Sequence, residues 1–225
     1  MDQKDRLQGL NDLHKALREA LTGGDAELHA LDLFLSLHSQ LHSRQVSPQT
    51  PWSYEDWLLD GLEEAHLRAI PEGQEHSIAW VLWHLTRVED VTMNLLVAGQ
   101  DQVFELGNWQ AKTASPIKHT GNGAGVDVSL ALSEVVDIHA LRAYRAAVGL
   151  ATQEIARRLT SEDFDRKVAP GDLKRIMEEE AVLPAGQDVV AYWSRRDVKG
   201  LLLMPPTRHA IVHWNEAARL KGMIT

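Results

Sequence analysis

The chain has 225 residues, no cysteine and a formal net charge of -9. That length buries a sizeable core, about 70 % of the unfolded surface, and the missing thiols exclude disulfides, thiolate metal ligands and a cysteine nucleophile. The acidic balance argues against nucleic acid, which needs a basic face; the start MDQKDRLQGL is charged from its second residue, unlike a secretory signal, and no run approaches the ~18 apolar residues that span a bilayer, so a cytoplasmic protein without membrane contact is expected.

Helical periodicity dominates from the start. Residues 2–22 read as a polar amphipathic helix ending at Gly23-Gly24, and 25–45 as a second helix with Leu31, Phe34, Leu35 and Leu41 on one stripe. The prolines of SPQTPW stop it. A short helix follows in SYEDWLLDGL, with Ser53 as N-cap. Residues 76–98 form a long helix closed by Gly99. A connecting stretch leads to KHTGNGAG, whose three glycines in five residues give a mobile or tightly turned backbone. That loop lacks the Lys-Ser/Thr ending of a phosphate cradle, so a nucleotide site is rejected; closing over a pocket mouth remains open to it. Residues 133–160 are a helical pattern with a break near Ile138, and shorter helices fall at 171–180 and 187–200. The last helix, 206–222, starts at Pro205-Pro206. Strand signals are weak. The expected fold is an all-α helical bundle of four long helices with additional short ones.

The histidines carry the chemistry. On the last helix His213 lies about 40° from His209 at 100° per residue, and Glu216 and Leu220 fall close to the same stripe. Two imidazoles one turn apart can hold one metal ion, although spacing alone fits two hydrogen-bonded core histidines as well. On the 76–98 helix, His84 sits amid Trp80, Val81, Val88, Val91 and Leu95, and a polar ring on an apolar stripe needs a partner. Packing the two helices together brings His84 toward His209 and His213. Three neutral imidazoles with an open position describe a catalytic-type zinc site and also suit Ni²⁺, Fe²⁺ or Co²⁺. His38 and His42 are a competing pair: His38 shares the stripe of Phe34 and Leu41, His42 lies at its edge, and one packed and one solvated ring is the plainer reading. His14, His29, His66, His76, His119 and His139 read as surface or capping residues.

The segments HSIAWVLWHLTRVEDVTMNLLVAG and LLLMPPTRHAIVHWNEAARLK together resemble the DinB-like superfamily. The resemblance runs over residues 25–222 in helix order and is specific at the two histidine segments. It implies a four-helix bundle domain at 25–225 after an N-terminal helical extension at 1–24, with a divalent metal, zinc or nickel first, held by His84, His209 and His213. Relatives include transferases and isomerases that use small thiols such as mycothiol or bacillithiol, and they look dimeric. The resemblance thus implies a thiol-dependent transferase and a symmetric homodimer. A metal-dependent hydrolase and a non-catalytic metal-binding module are the alternatives. Such a metal lowers the pKa of a bound water to near ~7 or holds a thiol as thiolate. Glu216 is the candidate catalytic carboxylate, as a hydrolase base or as an orienting partner. His38, Trp80, Trp83 and Arg87 are candidate pocket residues, with Trp214 as a further wall; Glu89 and Asp90 lie away from the His84 face.

Overall fold

The computed structural model describes residues 3–23 and 27–224. Among them there is no strand, only an isolated bridge between Lys167 and Asp197. The fold is all-α, as the periodicity required. The expected boundary between residues 24 and 25 lies outside the described residues.

The N-terminal helix, Gln3–Thr22, packs along the second, Glu27–Leu41, through Leu10, Leu17 and Leu21. The central helix is Ile78–Asp90, continuing as the π-helical stretch Val91–Val97. It packs against the long helix Ile138–Arg158 on one side and the C-terminal helix on the other. The second helix closes the ring, touching both Ile138–Arg158 and the start of the C-terminal segment. Every residue of the central helix is buried, polar ones included. A helix covered on all sides has no solvent face, and each fully buried aliphatic or aromatic side chain on it contributes about 1.5–3 kcal/mol. No helix among the described residues is long and apolar enough to cross a membrane.

Local chemistry sets the ends. The Ser53 hydroxyl accepts from the Asp56 amide at 3.0 Å, as its N-cap position predicts, and Ser77 does the same for Trp80 at the head of the central helix. The expected run 133–160 is split. Helix Val126–Val135 ends, and Asp137 caps a new helix by accepting from Ala140 N at 2.8 Å, so the break falls where Ile138 begins. The run 187–200 is split too: Gln187–Ser194 stops and Asp197 caps Val198–Leu202. GLLLMP thus belongs to a helical turn. Pro205 and Pro206 have no N–H to close the next α-turn. The chain instead widens into a π-helical stretch, Met204–His209, and the Thr207 hydroxyl satisfies the Leu202 carbonyl at 2.8 Å. Helix Ala210–Ile224 follows.

Candidate metal centre

His84, His209 and His213 come together. One ring nitrogen of each lies within 4.8 Å of the others, and the ring centroids are 4.5–5.0 Å apart. Two of the three rings are held in a ligand-ready tautomer. His84 Nδ1–H donates to the Thr120 carbonyl at 2.6 Å, and His213 Nδ1–H donates to Glu216 Oε2 at 2.7 Å. Each therefore presents a bare Nε2 lone pair. His84 Nε2 stands 3.1 Å from His209 Nε2. His209 Nδ1 is buried without a partner. With His84 Nε2 bare, His209 Nε2–H is the donor in this contact, and a cation shared by the two nitrogens would take the place of that proton. Burial, reinforced by the His213 ring, pushes the His84 pKa down to about 3. Burial beside His84 and His213 also holds His209 well below the ordinary imidazole value. Both rings are neutral at neutral pH, as ligation requires. The donor set suits a borderline divalent ion such as zinc or nickel.

The surroundings brace these rings. Glu216 spends both oxygens, Oε2 on His213 and Oε1 on His76 Nδ1–H at 2.7 Å. Burial raises the Glu216 pKa, but the two histidine contacts outweigh it and hold the carboxyl well below its usual range. His76 stacks on Trp80 at 3.7 Å, and Trp80 stacks on His84 at 4.8 Å. His76 is thus no mere surface residue; its place eight positions before His84 and four before Trp80 was the available signal. The glycine loop supplies the Thr120 carbonyl. Gly121 has φ +91°, and a Cβ there would stand 2.9 Å from Trp80. Glycine is required for that close, left-handed approach.

A second cluster lies on the other face of the central helix. His38 Nε2 and His42 Nε2 approach the two oxygens of Glu89 at 2.8 and 2.9 Å, with all three side chains buried. His42 is therefore not a solvated ring. Burial, with the nearby Arg145 charge, lowers its pKa to about 3. Burial raises Glu89, yet the two imidazoles hold it well below the carboxylate range. Glu89 is away from the His84 face, as the wheel placed it, and it ties the second helix to the central one. This trio also brings one donor atom of each residue within 4.8 Å of the others.

Arg87 is neither solvated nor aimed at the triad. It is fully buried, with Nε donating to the Lys118 carbonyl at 2.8 Å and Nη1 to Tyr144 Oη at 2.9 Å, and it sits 3.3 Å from Asp90. Asp90 also accepts from Tyr144 and from the amides of Val103 and Phe104. The cause is burial of the whole helix, which a single-stripe reading does not see. Trp83 donates to the His119 carbonyl at 3.0 Å and Trp214 to the Leu41 carbonyl at 2.9 Å; both are core rings. The cavity beside His209, about 210 Å³, is walled instead by Val88, Val189, Tyr192, Trp193, Met204 and Pro205, with Asn122 of the glycine loop at its edge.

A bundle of helices enclosing converging histidines defines a class of helical proteins with sites able to hold a metal ion. Residues 51–193 match the DinB superfamily, and the chain belongs to that family. The match contains His84 and stops before His209 and His213. No curated protein matches the chain.

Proposed function

We propose that the protein is a metal-dependent enzyme in which His84, His209 and His213 hold a divalent ion and a small thiol is the reacting partner. The observation that carries this reading is the pair of anchored tautomers. His84 and His213 each give Nδ1–H to an acceptor and keep Nε2 free to ligate, in a centre where one ring nitrogen of each histidine lies within 4.8 Å of the others. When bound, a divalent ion with an open position supplies Lewis acidity, which favours the ionised form of a thiol or a water beside it. The rest is the chain's own work. Thr120 and Glu216 fix the rings, and Trp80 covers the His84 face. The chain has no cysteine of its own, so the thiol comes as substrate. Thiol transfer stands ahead of hydrolysis because both Glu216 oxygens are engaged by histidines, which suits a positioning residue rather than a free base. We also propose that residues 25–225 form the domain, with 1–24 as an extension, and that the protein pairs as a symmetric homodimer in the cytoplasm; light scattering tests the pairing.

The test of function is His84→Ala and His213→Ala, assayed with small thiols plus electrophiles and, in parallel, with esters and amides. Thiol conjugation by the wild type that vanishes in both variants supports the proposal. Hydrolysis alone, vanishing likewise, replaces transfer with hydrolysis. Activity that survives both replacements and the loss of metal refutes a metal-dependent reaction.

A further inference from the structure

We propose that the cavity of about 210 Å³ beside His209 recognises the second substrate, and that it takes a small uncharged apolar group such as a single aromatic ring. This rests on the reading of His84, His209 and His213 as the reaction centre. His209 lines the cavity and belongs to the histidine centre, so a molecule seated there lies beside that centre.

The wall chemistry sets the class. Val88, Val189, Met204 and Pro205 are aliphatic or nearly so, Tyr192 and Trp193 are aromatic, and Asn122 and His209 are polar but uncharged; among the described residues no Lys, Arg, Asp or Glu lines the cavity. Arg87, next to Val88 in the chain, is buried with its guanidinium on Lys118, Tyr144 and Asp90, and gives the cavity no counter-charge. A carboxylate or an ammonium entering here would lose hydration and meet no counter-charge, only the polar groups of Asn122 and His209. An uncharged ring loses only unfavourable water contact. Val189, Tyr192 and Met204 are each only partly buried, so a ring against them covers apolar surface that the fold leaves open. Trp193 is 2 % exposed and supplies a fixed flat wall. The volume is below the about 300–1,000 Å³ of drug-sized sites, which limits the group to one ring or a short branched chain.

Three probes share a ring and differ in charge: benzyl alcohol, benzoate and benzylamine. Their binding to the metal-free full-length protein is measured by saturation-transfer NMR and calorimetry, so attraction of benzoate to a metal does not enter. Benzyl alcohol should bind at least tenfold more tightly than either ion. Val189→Trp and Met204→Trp, each filling the cavity, should weaken it at least tenfold while far-UV circular dichroism stays native. Benzoate or benzylamine binding as well as the alcohol, no saturable binding of the alcohol, or folded variants that bind it unchanged would each overturn the proposal. The wild-type comparison decides even if a variant fails to fold. Ring selectivity in a protein that proves unable to hold metal removes the enzyme reading and leaves the cavity assignment standing; metal-dependent activity without ring selectivity does the reverse.

Discussion

Acidifying the metal-free protein from pH 7 to pH 5 should remove about 4 kcal/mol of stability through two histidines alone. His42 and His84 are buried, and burial holds both at about 3 in the folded protein. In the unfolded chain each returns to about 6.5. Between those values the unfolded chain binds a proton that the folded one refuses, so stability falls as pH falls. From pH 7 to 5 the linkage is worth about 2 kcal/mol per ring. His209, also held down by burial, adds to the same side. Glu89, held below its usual range, acts in the same sense at lower pH. Against a typical total of about 5–15 kcal/mol, this brings the protein near unfolding in mild acid. The assay is urea denaturation of chelator-treated protein at pH 7, 6 and 5, read by tryptophan fluorescence. His84→Gln removes one titrating ring while retaining an amide able to donate to the Thr120 carbonyl, and should lower the loss by about 2 kcal/mol. Stability that is flat or rising from pH 7 to 5, or an unchanged slope in His84→Gln, would refute the account of these buried rings.

Three further outcomes follow from the same contacts. Glu216→Gln keeps the shape but weakens the grip on the His213 and His76 N–H groups, so metal affinity should drop about 10–100-fold with the fold intact; a competition titration with a chelator measures it. Gly149→Ala places a Cβ 2.6 Å from His42 Nδ1, a ring already fixed by Glu89, and should destabilise the protein by about 1–3 kcal/mol in urea denaturation. Arg87→Leu strips the cation from buried Asp90 and should cost about 3–5 kcal/mol in the same measurement.

The helix order and the convergence of His84 with His209 and His213 were legible because each ring stands on an apolar stripe of a long periodic segment. Ser53 as a cap and the break before Ile138 were legible because short polar side chains announce helix starts. The Glu89 cluster was not. Five residues beyond His84, Glu89 points about 140° away, and only the packing of a second helix onto that face gives it His38 and His42. Arg87, read as a candidate pocket residue, misled for the same reason: its partners Lys118, Tyr144 and Asp90 appear only once the helix is known to be covered on every side. The cavity wall was missed because Tyr192 and Trp193 come from a short helix whose docking no local pattern records, and the tryptophans nearest the histidines in sequence are core rings. Thr120 was hidden because it contributes a carbonyl, which every residue has.

The metal-dependent reaction proposed for this protein requires His84, His209 and His213 to hold one divalent ion. Untagged protein, stripped and then titrated with Co²⁺ or Zn²⁺, measures this directly by stoichiometry and by the Co²⁺ visible spectrum. One ion per chain is predicted at His84, His209 and His213, lost in His213→Ala and retained in His38→Gln. Wild-type protein that takes up no ion, or an ion that survives His213→Ala and leaves in His38→Gln, would contradict the assignment of the metal to this centre.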